Sequence, residues 1–136
     1  MNIPPPAEVE IIARVAFKTA WIGMACGVVS GAILGLFFHR EDWMGGYGSY
    51  RRRMARLGHI SFFGLAFVNI AFAATVAHGL LGPAWAGRAW PGFLTAACTM
   101  PLFCFLSAWR KPFRHAFFIP VTGAAWGIAC VLLGGP

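Results

Sequence analysis

The chain alternates long apolar stretches with short basic ones. Thr19 to Phe38, Ala89 to Trp109 and Ala116 to Pro136 contain no charged residue, and Leu57 to Gly87 interrupts its apolar run only with His59 and His78. About 20 apolar residues, at 1.5 Å rise each, cross a hydrocarbon core. The pattern therefore predicts an all-α integral membrane protein: four transmembrane helices in an antiparallel bundle, with spans near 19–38, 57–81, 90–109 and 116–133. Residues 1–136 form a single transmembrane domain on this reading, because no polar stretch is long enough for a second one. Ala7 to Lys18 has a mixed face and is expected as a short amphipathic N-terminal interfacial helix, or as an early extension of the first span. Pro6 suits a first helical position, and Glu8 and Glu10 suit the positive end of a helix dipole. This start lacks the basic-then-apolar order of a cleaved signal peptide.

Composition sharpens the class. The chain is 59% hydrophobic and only 11% charged, with a mean hydropathy of +0.69, whereas soluble domains carry about 25% charged residues. The formal charge is +7, and its distribution matters more than its size. Arg40, Arg51, Arg52, Arg53 and Arg56 precede the second span, and Arg110, Lys111 and Arg114 precede the fourth, but only Arg88 lies between the second and third. Short cytoplasmic loops collect Lys and Arg. Loops one and three are thus expected on the cytoplasmic side of a cell inner membrane, with the termini on the other side. No aromatic-interleaved basic groove accompanies the cluster, so nucleic acid is not an expected partner. Arg51, Arg52, Arg53 and Arg56 are expected to attract anionic lipid head groups, and a bound phospholipid follows from that.

The most regular motif is Gly23, Gly27, Gly31 and Gly35, each four residues apart. Such a row lays a flat groove along a helix, and close packing is what associates helices in lipid. The groove is expected to dock a helix of this chain or of another subunit. At 100° per residue, His59, Ala66, Ala73 and Ala77 share one stripe of the second span, flanked by Asn69, which should point inward to escape lipid. Pro101 and Pro120 are expected to kink the third and fourth helices. The four cysteines (Cys26, Cys98, Cys104 and Cys130) fall inside spans without a CxxC and read as packing residues.

Candidate chemistry centres on histidine. His39, His59 and His115 all belong to the basic end, among phenylalanines, so His59 with either His39 or His115 would be the axial pair of a b-type haem. His78 faces about 100° away from His59. Proton-coupled transport needs a carboxylate within the membrane, and Glu8, Glu10, Glu41 and Asp42 all lie outside the spans. A serine nucleophile needs a histidine at its own depth, and the sequence pairs neither Ser30 nor Ser107 with one. His39, Glu41, Asp42 and His59 make a poor zinc signature.

The reading that fits these observations is a small non-catalytic membrane subunit requiring no cofactor. It would pack against other integral membrane subunits in an energy-converting complex, respiratory or photosynthetic. The alternative is a b-type haem electron carrier with its haem on the cytoplasmic side. The third is a homo-oligomeric pore or carrier lined by Asn69, Thr75, Thr95, Thr99 and Ser30.

Overall fold

The computed structural model describes residues 7–135, so the placement of Pro6 lies outside them. Among the described residues the chain is all-helical, with four helices long and apolar enough to cross a membrane. These are α1 (Ala7–Leu36), α2 (Tyr50–Ala77), α3 (Pro83–Trp109) and α4 (Phe118–Gly134). Short 3-10 segments, Trp43–Gly45 and Lys111–Phe117, occupy the connections before α2 and α4.

The helix boundaries decide between the two readings of Ala7 to Lys18, in favour of an extension of the first span, and correct the placement of the first arginines. No separate interfacial helix forms, because Ala7 to Lys18 continues directly into α1. Neither Gly nor Pro interrupts that stretch, and Arg14 reaches back to Glu10 at 2.7 Å, an i,i+4 pair. At 1.5 Å per residue α1 is about 45 Å long, well beyond a 30 Å hydrocarbon core. Arg51, Arg52, Arg53 and Arg56 likewise belong to α2 rather than to a loop. Ser49 caps the helix by accepting the Arg52 N–H, so α2 starts a turn and more before its apolar run.

Neighbouring helices pack in chain order, α1 on α2, α2 on α3 and α3 on α4, and α1 also touches α3. No Cα of α4 comes within 8 Å of α1 or α2. The core gathers where the beginning of α1, the end of α2, the beginning of α3 and the end of α4 meet, around Val9, Ala16, Phe72, Val76, Ala86, Phe93 and Cys130. Small residues make this possible, since Ala16, Ala20, Ala86, Ala89 and Ala96 are almost fully buried and let backbones approach.

Two glycine seams set the helix spacing. Along α1, Gly23 faces the Phe62 carbonyl and Ala66, Gly27 faces the Phe63 ring, and Gly31 faces His59, while nothing approaches Gly35 within 4 Å. The α1 groove is therefore filled by α2 of the same chain. The second seam joins α3 to α4. A Cβ on Gly92 would collide with the Gly123 carbonyl oxygen and lie 3.1 Å from the Gly127 nitrogen. The signal for it is small-xxx-small spacing in Gly123-Ala-Ala-Trp-Gly127, which the more regular row in α1 overshadows.

The prolines sit differently in the last two helices. α3 runs without a break through Pro91 and Pro101. Pro120 is the third residue of α4, where a backbone N–H has no intrahelical partner to lose, so it starts the helix instead of kinking it.

Candidate functional site

The end of the molecule holding the two basic segments is where most of its polar side chains meet. Its centre is Arg52, which is only 2% exposed although no carboxylate pairs with it among the described residues. Its terminal nitrogens donate to the Phe38 carbonyl at 2.9 Å and the Arg40 carbonyl at 3.3 Å. The guanidinium carbon also lies 4.7 Å from the Phe38 ring centre, 5.4 Å from Tyr47 and 5.7 Å from Trp43. Ring quadrupoles and carbonyl dipoles thus stand in for a counter-ion, each desolvated cation–π contact contributing up to about 2 kcal/mol. Loop residues Met44, Gly45 and Gly46 all take positive φ, which folds the aromatic segment back over the start of α2. Ser49 closes this fold by donating to the Met44 carbonyl at 2.8 Å. Arg52 is accordingly a clamp between the end of α1 and the start of α2, and its buried side chain is not placed to meet a lipid head group.

The other arginines divide. Arg51 Nε donates to the Ala108 carbonyl at the end of α3, at 3.0 Å. Arg56 stacks on Tyr47 at 4.4 Å, and Arg53 is exposed. Lys111 lies 6.0 Å over the Tyr50 ring. The two basic segments, far apart in sequence, therefore meet at the start of α2. Consecutive arginines reach opposite ways, Arg51 to α3 and Arg52 to α1.

The histidines sit on four different segments. His59 is half-buried against α1, with Cε1 2.5 Å from where a Cβ on Gly31 would sit and Nε2 3.2 Å from that point. Its Nδ1 is 3.3 Å from Ser30 Oγ, which also donates to the Gly27 carbonyl at 3.1 Å, so the network assigns the imidazole proton to Nδ1. The Phe63 ring meets His59 edge-on at 5.5 Å. His39 follows α1 on an exposed turn, and His115 lies exposed beside Arg114. His78 ends α2 and bonds the Ala74 carbonyl. A haem iron must approach a ring nitrogen along its lone pair with a flat macrocycle around it. The Cε1 edge of the His59 ring faces Gly31 of α1, and its Nδ1 faces Ser30.

Sequence reasoning missed the Ser30–His59 pair, which only the glycine groove brings together. A hydroxyl beside an imidazole begins a nucleophilic pair, but the Ser30 proton is committed to its own helix. The contact works as an interhelical hydrogen bond.

The remaining polar groups inside the spans are also held locally. Asn69 is 1% exposed, inward as expected, yet its amide donates to Leu65 in its own helix. Thr75 and Thr99 donate to the carbonyls of Ala71 and Thr95. Arg52 Nε and Ser107 Oγ are the buried side-chain polar atoms without partners among the described residues.

Apolar clefts lie between the helices. One of about 290 Å³ is bounded by Thr19, Gly23 and Cys26 of α1, Phe62 and Ala66 of α2, and Ala97 and Cys98 of α3. Another, of about 410 Å³, continues along α1 past Val29, Ser30 and Ile33 and is bounded by Phe62 and Phe105. Compared with known protein families, curated proteins and solved structures, the chain matches none.

Proposed function

We propose that this chain is a four-span inner-membrane protein, an antiparallel bundle with its basic end in the cytoplasm, serving as a non-catalytic subunit beside other integral membrane chains. The observation supporting this reading is the open arrangement. The backbone of the fourth helix comes within 8 Å of α3 but not of α1 or α2, and Val121, Trp126, Ile128, Leu132 and Leu133 project from it exposed. The outer face of α1 is equally bare at Ile22, Val28, Val29 and Ile33. The side chains of Ser30, Asn69, Thr75 and Thr99 each bond a carbonyl of their own helix. The glycine row joins α1 to α2 in this chain, so a partner helix would sit in the opening between α1 and α4.

Photo-crosslinking tests this directly. A benzophenone side chain at Leu132 or Val28, in native membranes, is expected to give a discrete adduct with a different membrane polypeptide. Adducts with lipid alone would overturn the subunit reading. Adducts with a second copy of this chain would overturn it in favour of a homo-oligomer.

A further inference from the structure

The four thiols are of two kinds. Cys104 and Cys130 are buried and serve packing, Cys104 against Gly58 and Cys130 in the core. Cys26 and Cys98 are exposed, so close packing does not account for them. Both border the same cleft of about 290 Å³, Cys26 from α1 and Cys98 from α3. Helix phase sets them on its two walls. At 100° per residue Cys26 lies within about 40° of Thr19, Ile22 and Ser30, which border the two adjoining clefts from α1. Cys98 lies about 20° from Phe105, which borders them from α3. The α1 and α3 backbones come within 8 Å of each other. Among the described residues no imidazole, carboxylate or third thiol borders the cleft that the two cysteines share. What it offers chemically is a dithiol.

Two thiols on opposite walls of a mainly apolar cleft can give up two electrons together, to an acceptor that dissolves in lipid. Building on the membrane reading above, we propose that Cys26 and Cys98 form a reversible disulfide between α1 and α3, with a lipid-soluble quinone as the oxidant. Both Sγ–H bonds break and one Sγ–Sγ bond forms. The two electrons and two protons pass to the quinone oxygens, which become the hydroxyls of a hydroquinone. Reactants and products are all neutral, as a low-dielectric cleft requires. A disulfide needs Cα atoms about 4.4–6.8 Å apart, so oxidation draws α1 towards α3, and the cleft between them is the space into which they close. The bond joins the two walls to each other and does not depend on what lies over Ile22 or Val29.

The test is intact-mass spectrometry of the purified chain in mild detergent, after treatment with decylubiquinone, a quinone with no free ring position for a thiol to alkylate. The mass should fall by two hydrogens, and alkylation after unfolding in SDS should find two of the four thiols blocked until dithiothreitol restores them. Peptide mapping should join Cys26 to Cys98. Cys26→Ser or Cys98→Ser should abolish the mass loss, while Cys104→Ser and Cys130→Ser should keep it. Four reactive thiols after quinone treatment, a bridge through Cys104 or Cys130, or a link between two copies of the chain would each overturn the proposal. Helical circular dichroism checks each variant's fold. Resistance to alkaline extraction tests the membrane reading separately, so its failure and that of the thiol pair are distinguishable.

Discussion

Replacing Gly92 by alanine probes a backbone-to-backbone contact between α3 and α4. The added methyl would meet the Gly123 carbonyl oxygen and crowd the Gly127 nitrogen. These are backbone atoms on a packed helix and cannot rotate aside, so α3 and α4 must separate. Overpacking of this kind costs about 1–3 kcal/mol, and the upper part of that range applies where no side chain can yield. Alanine recovers up to about 1 kcal/mol of helix propensity over glycine. The net expectation is about 2 kcal/mol, roughly thirtyfold in the unfolding constant. Titrating the protein with SDS in mixed micelles, followed by circular dichroism, measures it. Gly64→Ala serves as the reference, because nothing lies within 4 Å of a methyl there, and it should be at least as stable as wild type. Gly27→Ala and Gly31→Ala should fall between, since the Phe63 and His59 rings they meet at 2.6 and 2.5 Å have some freedom to turn. If Gly92→Ala unfolds at the same SDS fraction as Gly64→Ala, the backbone seam between α3 and α4 is refuted.

Further predictions rest on separate contacts. Arg52→Lys should speed chymotryptic cleavage at Phe38, Trp43 or Tyr47 at least about fivefold, because an ammonium cannot both stack on rings and bridge two carbonyls; unchanged cleavage would dismiss the clamp. A double-mutant cycle of Ser30→Ala and His59→Ala should show about 0.5–1.5 kcal/mol of coupling, and additive effects would mean the hydrogen bond contributes nothing. In mild detergent a small thiol reagent should modify Cys26 and Cys98, which are exposed, before Cys104 and Cys130, which are buried; simultaneous labelling of all four, read by mass, would contradict the packing. On the non-catalytic reading haemin added to the purified chain should give no reduced b-type spectrum that depends on His59, and a spectrum lost in His59→Ala would decide for the axial-ligand reading instead.

Much of the architecture is legible from local order along the chain. Charge-free runs long enough to cross a bilayer predict the four helices, because an isolated helix satisfies its own backbone and needs only length and apolar side chains to be recognised. The inward placement of Asn69 follows from the cost of a bare amide in lipid. Helix ends were less legible: Ser49 starts α2 before its arginines, and the absence of any breaker carries α1 back to Ala7, since capping and propensity override the edge of an apolar run. Which surfaces meet was decided by the tertiary structure alone. The sequence shows that Gly23, Gly27 and Gly31 form a groove, but a groove accepts any close-fitting helix, and only the packing shows that Phe63 and His59 of the same chain fill it. The same holds for the arginines. Three stand in a row and look alike, yet the fold buries Arg52 among aromatic rings, ties Arg51 to α3 and leaves Arg53 exposed, because their 100° spacing points each at a different neighbour.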